Sequence, residues 1–495
     1  MKTFVHNGKH KIEYSIVNVS ELEGELRIDA EYCNPVYLRN ERLITTKKWD
    51  FLEHLSKKIE NFGAYSLCNL INYRKDGVPY LFVGNIKENE IDINNLKYID
   101  EKTHNILYKS KIIEGDIVFT IAGTIGNAAV VPKQLNNSNS NQAIAKIRNT
   151  SLSPFYISTF LNSKYGKNQS QRFVISNVQP NLLLIQVKQL KIPIPSEVFQ
   201  KQIEKLVLSA YNEREKAEKL YKEAEEILLN ELGLKNWKPK TKKIKIGGKE
   251  FEEEENISIR NLSECLKVNR SDAEYWEPKY DRFLASLDSL KKNKNIELKN
   301  LSMLVDYKKG VEVGSEQYSE EGQIPFIRVS NLNEKGINLN SAKYISEKLY
   351  NKLKEQYEPN EGEILFTKDA TIGISYLLEK PIKAIISSGI LRLIVKNEKV
   401  NKEYLNLVLN SPACKLQINK TLSGAIIKHF KPTEVMNLLI PLLNQQTQSK
   451  ISQKIQQSFK ARRKSKELLE IAKRRVEIYI ENDERKGINY ITEQL

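Results

Sequence analysis

The stretch EGDIVFTIAGTIG, Glu114–Gly126, returns as EGEILFTKDATIG at Glu361–Gly373, 361 − 114 = 247 residues later. Other pieces return in the same order. DAEYCNP (Asp29–Pro35) becomes DAEYWEP (Asp272–Pro278), and VPYLFVGNI (Val78–Ile86) becomes IPFIRVSNL (Ile324–Leu332). FLNSKYG (Phe160–Gly166) becomes VLNSPAC (Val408–Cys414), and KIPIP around Pro193 is answered by LIPLL around Pro441. Solenoid units repeat every ~20–50 residues, so a period this long marks a duplicated module instead. Whatever this chain folds into, it builds twice.

Each copy follows one order. Short apolar and β-branched runs broken by Gly, Asn and Asp (YLFVGNI, DIVFTIA, NAAVV, QAIAKI) read as strands and tight turns. A short helical stretch follows, SPFYISTFLNS in one copy and NKEYLNLVLNS in the other. A proline-marked strand closes the globular part, and a long helix comes last, near Ser196–Leu232 and Gln446–Asn482. This divides the chain into a first globular module at 1–195, a long helix at 196–236, a charged linker at 237–256, a second module at 257–441, a second long helix at 442–484 and a tail at 485–495. The linker, with its basic block followed by an acidic one, reads as solvated chain.

The long helices carry matching heptad seams. Ile203, Ala210, Ala217 and Ala224 fall seven apart, and Ile451, Ser458, Ser465 and Ala472 hold the corresponding places. Small residues let two helix axes approach closely. The expected fold class is therefore α+β: two tandem mixed α/β domains, each followed by a long helix, with the helices pairing as an antiparallel coiled coil under pseudo-two-fold symmetry.

The net charge of +16 and a pI near 9.2 point to a polyanionic partner. Four scattered cysteines form no CxxC pair, which argues against a disulfide framework or a zinc site and fits a reducing compartment. The five histidines are equally dispersed, and no metal site is expected. No apolar run reaches the ~20 residues of a membrane span, and the N-terminus has no signal-peptide core, so a cytoplasmic protein is expected.

The glycine turn fails each nucleotide-binding pattern. A Walker A loop needs Lys and Ser/Thr after its last glycine, but Asn127 and Ala128 follow Gly126, and Ile374 and Ser375 follow Gly373. Neither copy has G-x-G-x-x-G opening a helix. The turn reads as a hairpin at a sheet edge. NPVY at Asn34–Tyr37 resembles a methyltransferase motif, but its counterpart EPKY loses the amide. No catalytic residue stands out.

Two modules alternating with two long helices, each module carrying G(D/E)I(V/L)FT, then (G/A)TIG, then a proline-marked strand, resemble the specificity subunit of type I restriction-modification systems, often called HsdS. The resemblance covers essentially the whole chain. It implies that each module is a target-recognition domain reading one half of a bipartite double-stranded DNA sequence. It also implies that the paired helices set the half-site spacing and dock two methyltransferase subunits, with motor-nuclease subunits joining. The specificity subunit is then no enzyme and holds no cofactor; S-adenosylmethionine belongs to its partner. An extended N-terminal stretch, Met1–Ser20, departs from the pattern and leaves room for a related phage-defence methyltransferase system. A coiled-coil scaffold binding protein only is the other alternative.

Candidate DNA contacts follow from residue type. Asn and Gln can read adenine in the major groove, and Lys and Arg hold phosphates. In the first module the candidates are Arg74, Lys75, Thr120, Ser140, Asn141, Gln142, Lys167, Gln169, Gln171 and Arg172. In the second they are Arg328, Thr367, Ser387, Ser388, Lys415, Gln417, Lys420, Lys428 and His429. The basic, amide-rich stretches KYGKNQSQRFVISN and KLQINKTLSGAIIKHFK are expected to be loops.

Overall fold

The computed structural model describes residues 2–6, 10–14, 16–17, 27–61, 69–94, 96–174, 180–239, 241–246, 249–254, 257–293, 296–339, 342–422 and 429–490. The chain forms two compact units. One is Met1–Glu215 with Arg462–Leu495; the other is Lys216–Ala461. The division falls inside both long helices, Glu197–Glu231 and Gln445–Glu481.

In the first unit, a four-stranded antiparallel sheet runs in the order Ala128–Val130, Ile117–Thr120, Ile144–Thr150, Ser56–Glu60. The strand Ile117–Thr120 is buried on both faces, so its sequence is a continuous apolar run with no alternation. A second sheet has the order Lys111–Ile112, Ser138–Ser140, Val78–Leu81, Lys97–Ile99, Tyr73–Arg74. Its Ser138–Ser140 and Val78–Leu81 strands are parallel. Ile117, Phe119, Ile147, Tyr156, Phe160, Ile192 and Phe199 share a core with Val476 and Tyr479. The proline-marked strand Lys191–Pro193 pairs with Trp49–Phe51 as a short edge ladder, where a missing N–H is tolerated. The Tyr156 hydroxyl donates to the Pro193 carbonyl at 2.9 Å.

Within this unit the start of one long helix lies against the end of the other. The Ser465 hydroxyl donates to the Ala210 carbonyl at 2.7 Å, and the Phe199 and Tyr479 rings meet at 5.2 Å. Numbers descend along one helix as they rise along the other, so the segments are antiparallel.

The second unit repeats the plan. Its four-stranded sheet has the order Val305–Lys309, Ile390–Val395, Ile364–Thr367, Ser375–Leu377. A three-stranded sheet joins Lys343–Ile345, Ile324–Ile327 and Ile385–Ile386, the last pair parallel. Tyr404 donates to the Pro441 carbonyl at 2.6 Å, matching Tyr156. Inside this unit the Ser458 hydroxyl donates to the Ala217 carbonyl at 2.7 Å, and Lys454 pairs with Glu223, again an antiparallel contact.

One expectation needs correction. Much of the segment expected as a linker is a β-hairpin: Thr241–Ile246 pairs with Lys249–Glu254. The register sets Lys242 opposite Glu253, Lys243 opposite Glu252 and Lys245 opposite Glu250. A Gly-Gly pair between two short β-compatible runs is a hairpin signal, which the charge run concealed. Lys2–His6 pairs with His10–Tyr14 in the same way. A hairpin thus precedes the globular part of each module.

Candidate nucleic-acid interface

In both units the repeated phrase forms a hairpin turn. Gly126 donates its N–H to the Thr120 carbonyl at 2.9 Å, and Asn127 donates to Thr120 Oγ1 at 2.9 Å. Gly373 and Ile374 do the same to Thr367, both at 2.9 Å. The glycines have φ of +86° and +87°, a region closed to most side chains. Thr120 and Thr367 are fully buried with their hydroxyls used inside the turn. They build the turn and are removed from the phosphate ligands.

What the turn does is gather other loops. In the first unit, Ile121 N–H bonds the Ala143 carbonyl (2.9 Å) and Leu182 N–H bonds the Ile121 carbonyl (2.8 Å). Asn141 N–H reaches the Leu81 carbonyl at 3.0 Å. Phe82, Ala122, Asn141, Gln142 and Asn181 thereby come to one end of the four-stranded sheet. In the second unit, Lys368 N–H bonds Gly389, Phe430 N–H bonds Lys368, and Ser387 N–H bonds Ile327, each at 2.9 Å. Arg328, Lys368, Asp369, Ser387, Ser388 and His429 converge. Gly389 is required here, since a Cβ would stand 2.8 Å from Val329 Cγ2.

The second cluster is cationic and cross-linked. Asp369 takes Lys368 Nζ at 2.6 Å and His429 Nδ1 at 2.8 Å. Burial pushes the Asp369 carboxyl up, but Lys368 and His429 outweigh it and hold it below its ordinary value. The exposed Lys308 and Lys309, on the edge strand Val305–Lys309, lead into Val311, whose carbonyl accepts from Ser388 N–H at 2.8 Å. Lys308, Lys309, Lys368, Asp369 and Asn181 were missed in the sequence. Two of them follow the repeated FT pair directly, which is the signal that could have found them.

The basic stretches expected as loops are mostly helices, Lys164–Phe173 and Pro412–Leu422. Ser163 caps the first by accepting from Gly166 N–H, and Pro412 starts the second. Their amides point inward. Gln169 Nε2 donates to the Lys191 carbonyl and its Oε1 accepts from Lys191 N–H, both at 3.0 Å. Gln417 clamps Leu439 identically, at 2.9 Å each way. Arg172 donates to the Tyr32 carbonyl at 3.0 Å, lies 4.1 Å from the Tyr32 ring centroid and pairs with Glu41. Lys420 pairs with Asp281 at 3.0 Å and lies over Tyr275 at 4.9 Å. These four residues hold the DAEY segments and closing strands in place.

Lys167 is half-buried beside Asn127 and 3.5 Å from Glu88, and burial lowers its pKa. Ser140 is buried, donating to the Ser110 carbonyl at 3.3 Å. Lys415 is exposed and pairs with Glu334 at 2.7 Å; Gln171 is exposed on its helix. Arg74 and Lys75 are exposed at a different sheet edge, next to the Tyr73 ring that Lys97 covers at 5.2 Å. Lys428 lies outside the described residues. Asn141, Gln142, Arg328, Ser387, Ser388 and His429 are the expected residues that reach the loop clusters. Among the described residues no group of His, Cys, Asp and Glu could hold a metal ion, and no helix is long and apolar enough to cross a membrane.

Residues 293–473 match the family model of the type I restriction modification DNA specificity domain. The type I restriction enzyme EcoBI specificity subunit of Escherichia coli is 29% identical over 129 residues, 25% of this chain and 26% of that protein. That region of the chain is similar to type I specificity subunits. A second relative, the putative MjaX specificity subunit of Methanocaldococcus jannaschii, is 29% identical over 143 residues, 28% of this chain and 33% of its own. These matches span about a quarter to a third of the length of the curated relatives. Among solved structures, the S subunit of a type I system from M. genitalium covers 90% of this chain and 97% of its own, with 13% identity and a TM-score of 0.40. The HsdS subunit from Thermoanaerobacter tengcongensis covers 88% and 97%, with 15% identity and a TM-score of 0.28.

Proposed function

We propose that the chain is a non-catalytic, sequence-specific DNA-recognition subunit that reads a bipartite duplex target in the cytoplasm, one half with each module. The observation that carries this is the pair of loop clusters. Each rests on the same buried turn and clamp residues, yet the rims differ: amides and Phe82 in the first, Arg328, Lys368 and His429 in the second. A shared scaffold with different side chains on its loops is what reading two different half-sites requires. The long helices, with small residues where they touch, are the surface for methyltransferase subunits, and motor-nuclease subunits join that complex. The methyl donor, S-adenosylmethionine, binds the partner.

The test is single-molecule sequencing of host DNA with and without the gene, alongside co-purification. Loss of methylation at one split motif, with a methyltransferase recovered, supports the reading. Exchanging residues 1–195 for those of a relative then alters one half of the motif only. Unchanged methylation, together with no salt-dependent DNA binding by the full complex, overturns it.

A further inference from the structure

Phe82 and Arg328 occupy one backbone position in the two modules. Each directly follows a strand, Val78–Leu81 or Ile324–Ile327, and precedes a 3-10 turn, Val83–Asn85 or Val329–Asn331. Their dihedral angles agree closely: φ −106° and ψ 164° for Phe82, φ −103° and ψ 168° for Arg328. Each gives its N–H to the side chain of the asparagine three residues on, Asn85 at 2.8 Å and Asn331 at 3.0 Å. The residue just before each, Leu81 or Ile327, accepts from the cluster loop at Asn141 or Ser387. The scaffold is the same, and only the side chain differs.

The difference is chemical. Phe82 has no hydrogen-bonding group. Its ring stacks on Tyr73 at 6.2 Å, meets Tyr80 at 5.2 Å and is covered by Lys97. Arg328 puts a guanidinium at that place, half-buried, at the root of a cluster that also holds Lys368 and His429. A guanidinium presents a planar fork of donors, and guanine is the base whose major-groove edge offers two acceptors side by side. The bonds with Asn331 that hold position 328 use its backbone N–H and carbonyl, so they survive any side chain there except proline.

We propose that Arg328 is a specificity-determining residue that reads a guanine in the half-site of the second module, and that Phe82 makes the equivalent position of the first module blind to guanine. This rests on the reading of both modules as DNA readers.

The experiment methylates a randomised split-site DNA library with the complex of this chain and its methyltransferase. Wild type is compared with Arg328→Ala and Arg328→Lys, and exchange of residues 1–195 tells which half belongs to which module. The expected result is a guanine in the second-module half whose preference falls about tenfold or more in Arg328→Ala. Arg328→Lys retains the charge and loses part of that preference, while the first-module half is unchanged in both. Thermal melting confirms that each variant is folded; should Arg328→Ala unfold, Arg328→Lys carries the comparison. The proposal is overturned if the second half contains no guanine, if preference at every position is unchanged, or if methylation falls evenly across all sequences as for a phosphate contact. A wild-type complex that shows no split motif overturns the DNA-reading function itself, a result separate from any behaviour of Arg328.

Discussion

Lys146 and Arg392 stand at one ladder position in the two modules, opposite Val118 and Leu365, but only Arg392 has a carboxylate of its own to hold. Arg392 forks onto Glu363 at 2.6 and 2.7 Å. In the first module the corresponding carboxylate is the shorter Asp116, which pairs with Arg148 at 3.2 Å. Lys146 Nζ is buried without a hydrogen-bond partner among the described residues.

Stability of the first module should depend on pH through Lys146. Burial pushes its ammonium down to about 7, with Glu60 only partly compensating. An unfolded lysine titrates near about 10.4. Between those values the unfolded chain binds the extra proton, so the Lys146 contribution becomes more favourable as pH rises from about 7 towards 10. Lys146→Met should stabilise the unit by on the order of 2 kcal/mol at pH 7 and flatten that dependence, as read from melting curves at several pH values. An unchanged pH profile would contradict it.

Arg392→Met should act in the opposite direction. It leaves Glu363 buried with no charge to answer it, and the cost is ~3–5 kcal/mol in chemical denaturation. Burial pushes the Glu363 carboxyl up and Arg392 overcomes this, so its value lies below the ordinary one. The stability that the pair contributes is present above the unfolded carboxylate pKa and is lost as pH falls through the folded one.

The glutamine clamps should be worth more than surface amides. Gln169→Ala strips both the N–H and the carbonyl of Lys191 of partners inside the core. Gln417→Ala does so at Leu439. Each should cost ~2–4 kcal/mol, measured by urea denaturation. Gln171→Ala, one turn position away and exposed, should cost no more than ~0.5 kcal/mol.

Turn strain differs between the copies. Gly123 has φ +73° where Ala370 is forced to +54°. Ala370→Gly should therefore raise the melting temperature of the second module, by up to ~1 kcal/mol of relief. Gly126→Ala should lower that of the first by ~1–2 kcal/mol, its φ of +86° being closed to alanine.

Close helix approach should be intolerant of bulk. Ala210→Leu puts a large side chain where the Ser465 hydroxyl meets the Ala210 carbonyl. The overpacking should cost ~1–3 kcal/mol in thermal melts, whereas Ser465→Ala removes one hydrogen bond and should cost ~1 kcal/mol.

Much of this was legible before any coordinates. Two hairpin turns, two short helices and two long ones could be placed because glycine, proline and heptad spacing act locally. The candidate site was legible only in part. Asn141, Gln142, Arg328, Ser387, Ser388 and His429 reach the clusters, but Gln169, Arg172, Gln417 and Lys420 have the same composition and serve the scaffold. A glutamine that reads a base and one that clamps a strand are the same residue type; the strand that decides between them lies 22 residues away in sequence.

The sequence by itself determined that the chain is a duplication, where its turns fall and which stretches are long helices, because those properties depend on residues within a few positions of one another. Only the tertiary structure decided which polar groups face solvent. Burial and hydrogen-bond pairing are set by distant segments: they turned the repeated Thr120, Gln169 and Arg172 into internal struts. They also left one position, shared by Phe82 and Arg328, where the backbone is constant and the side chain is not.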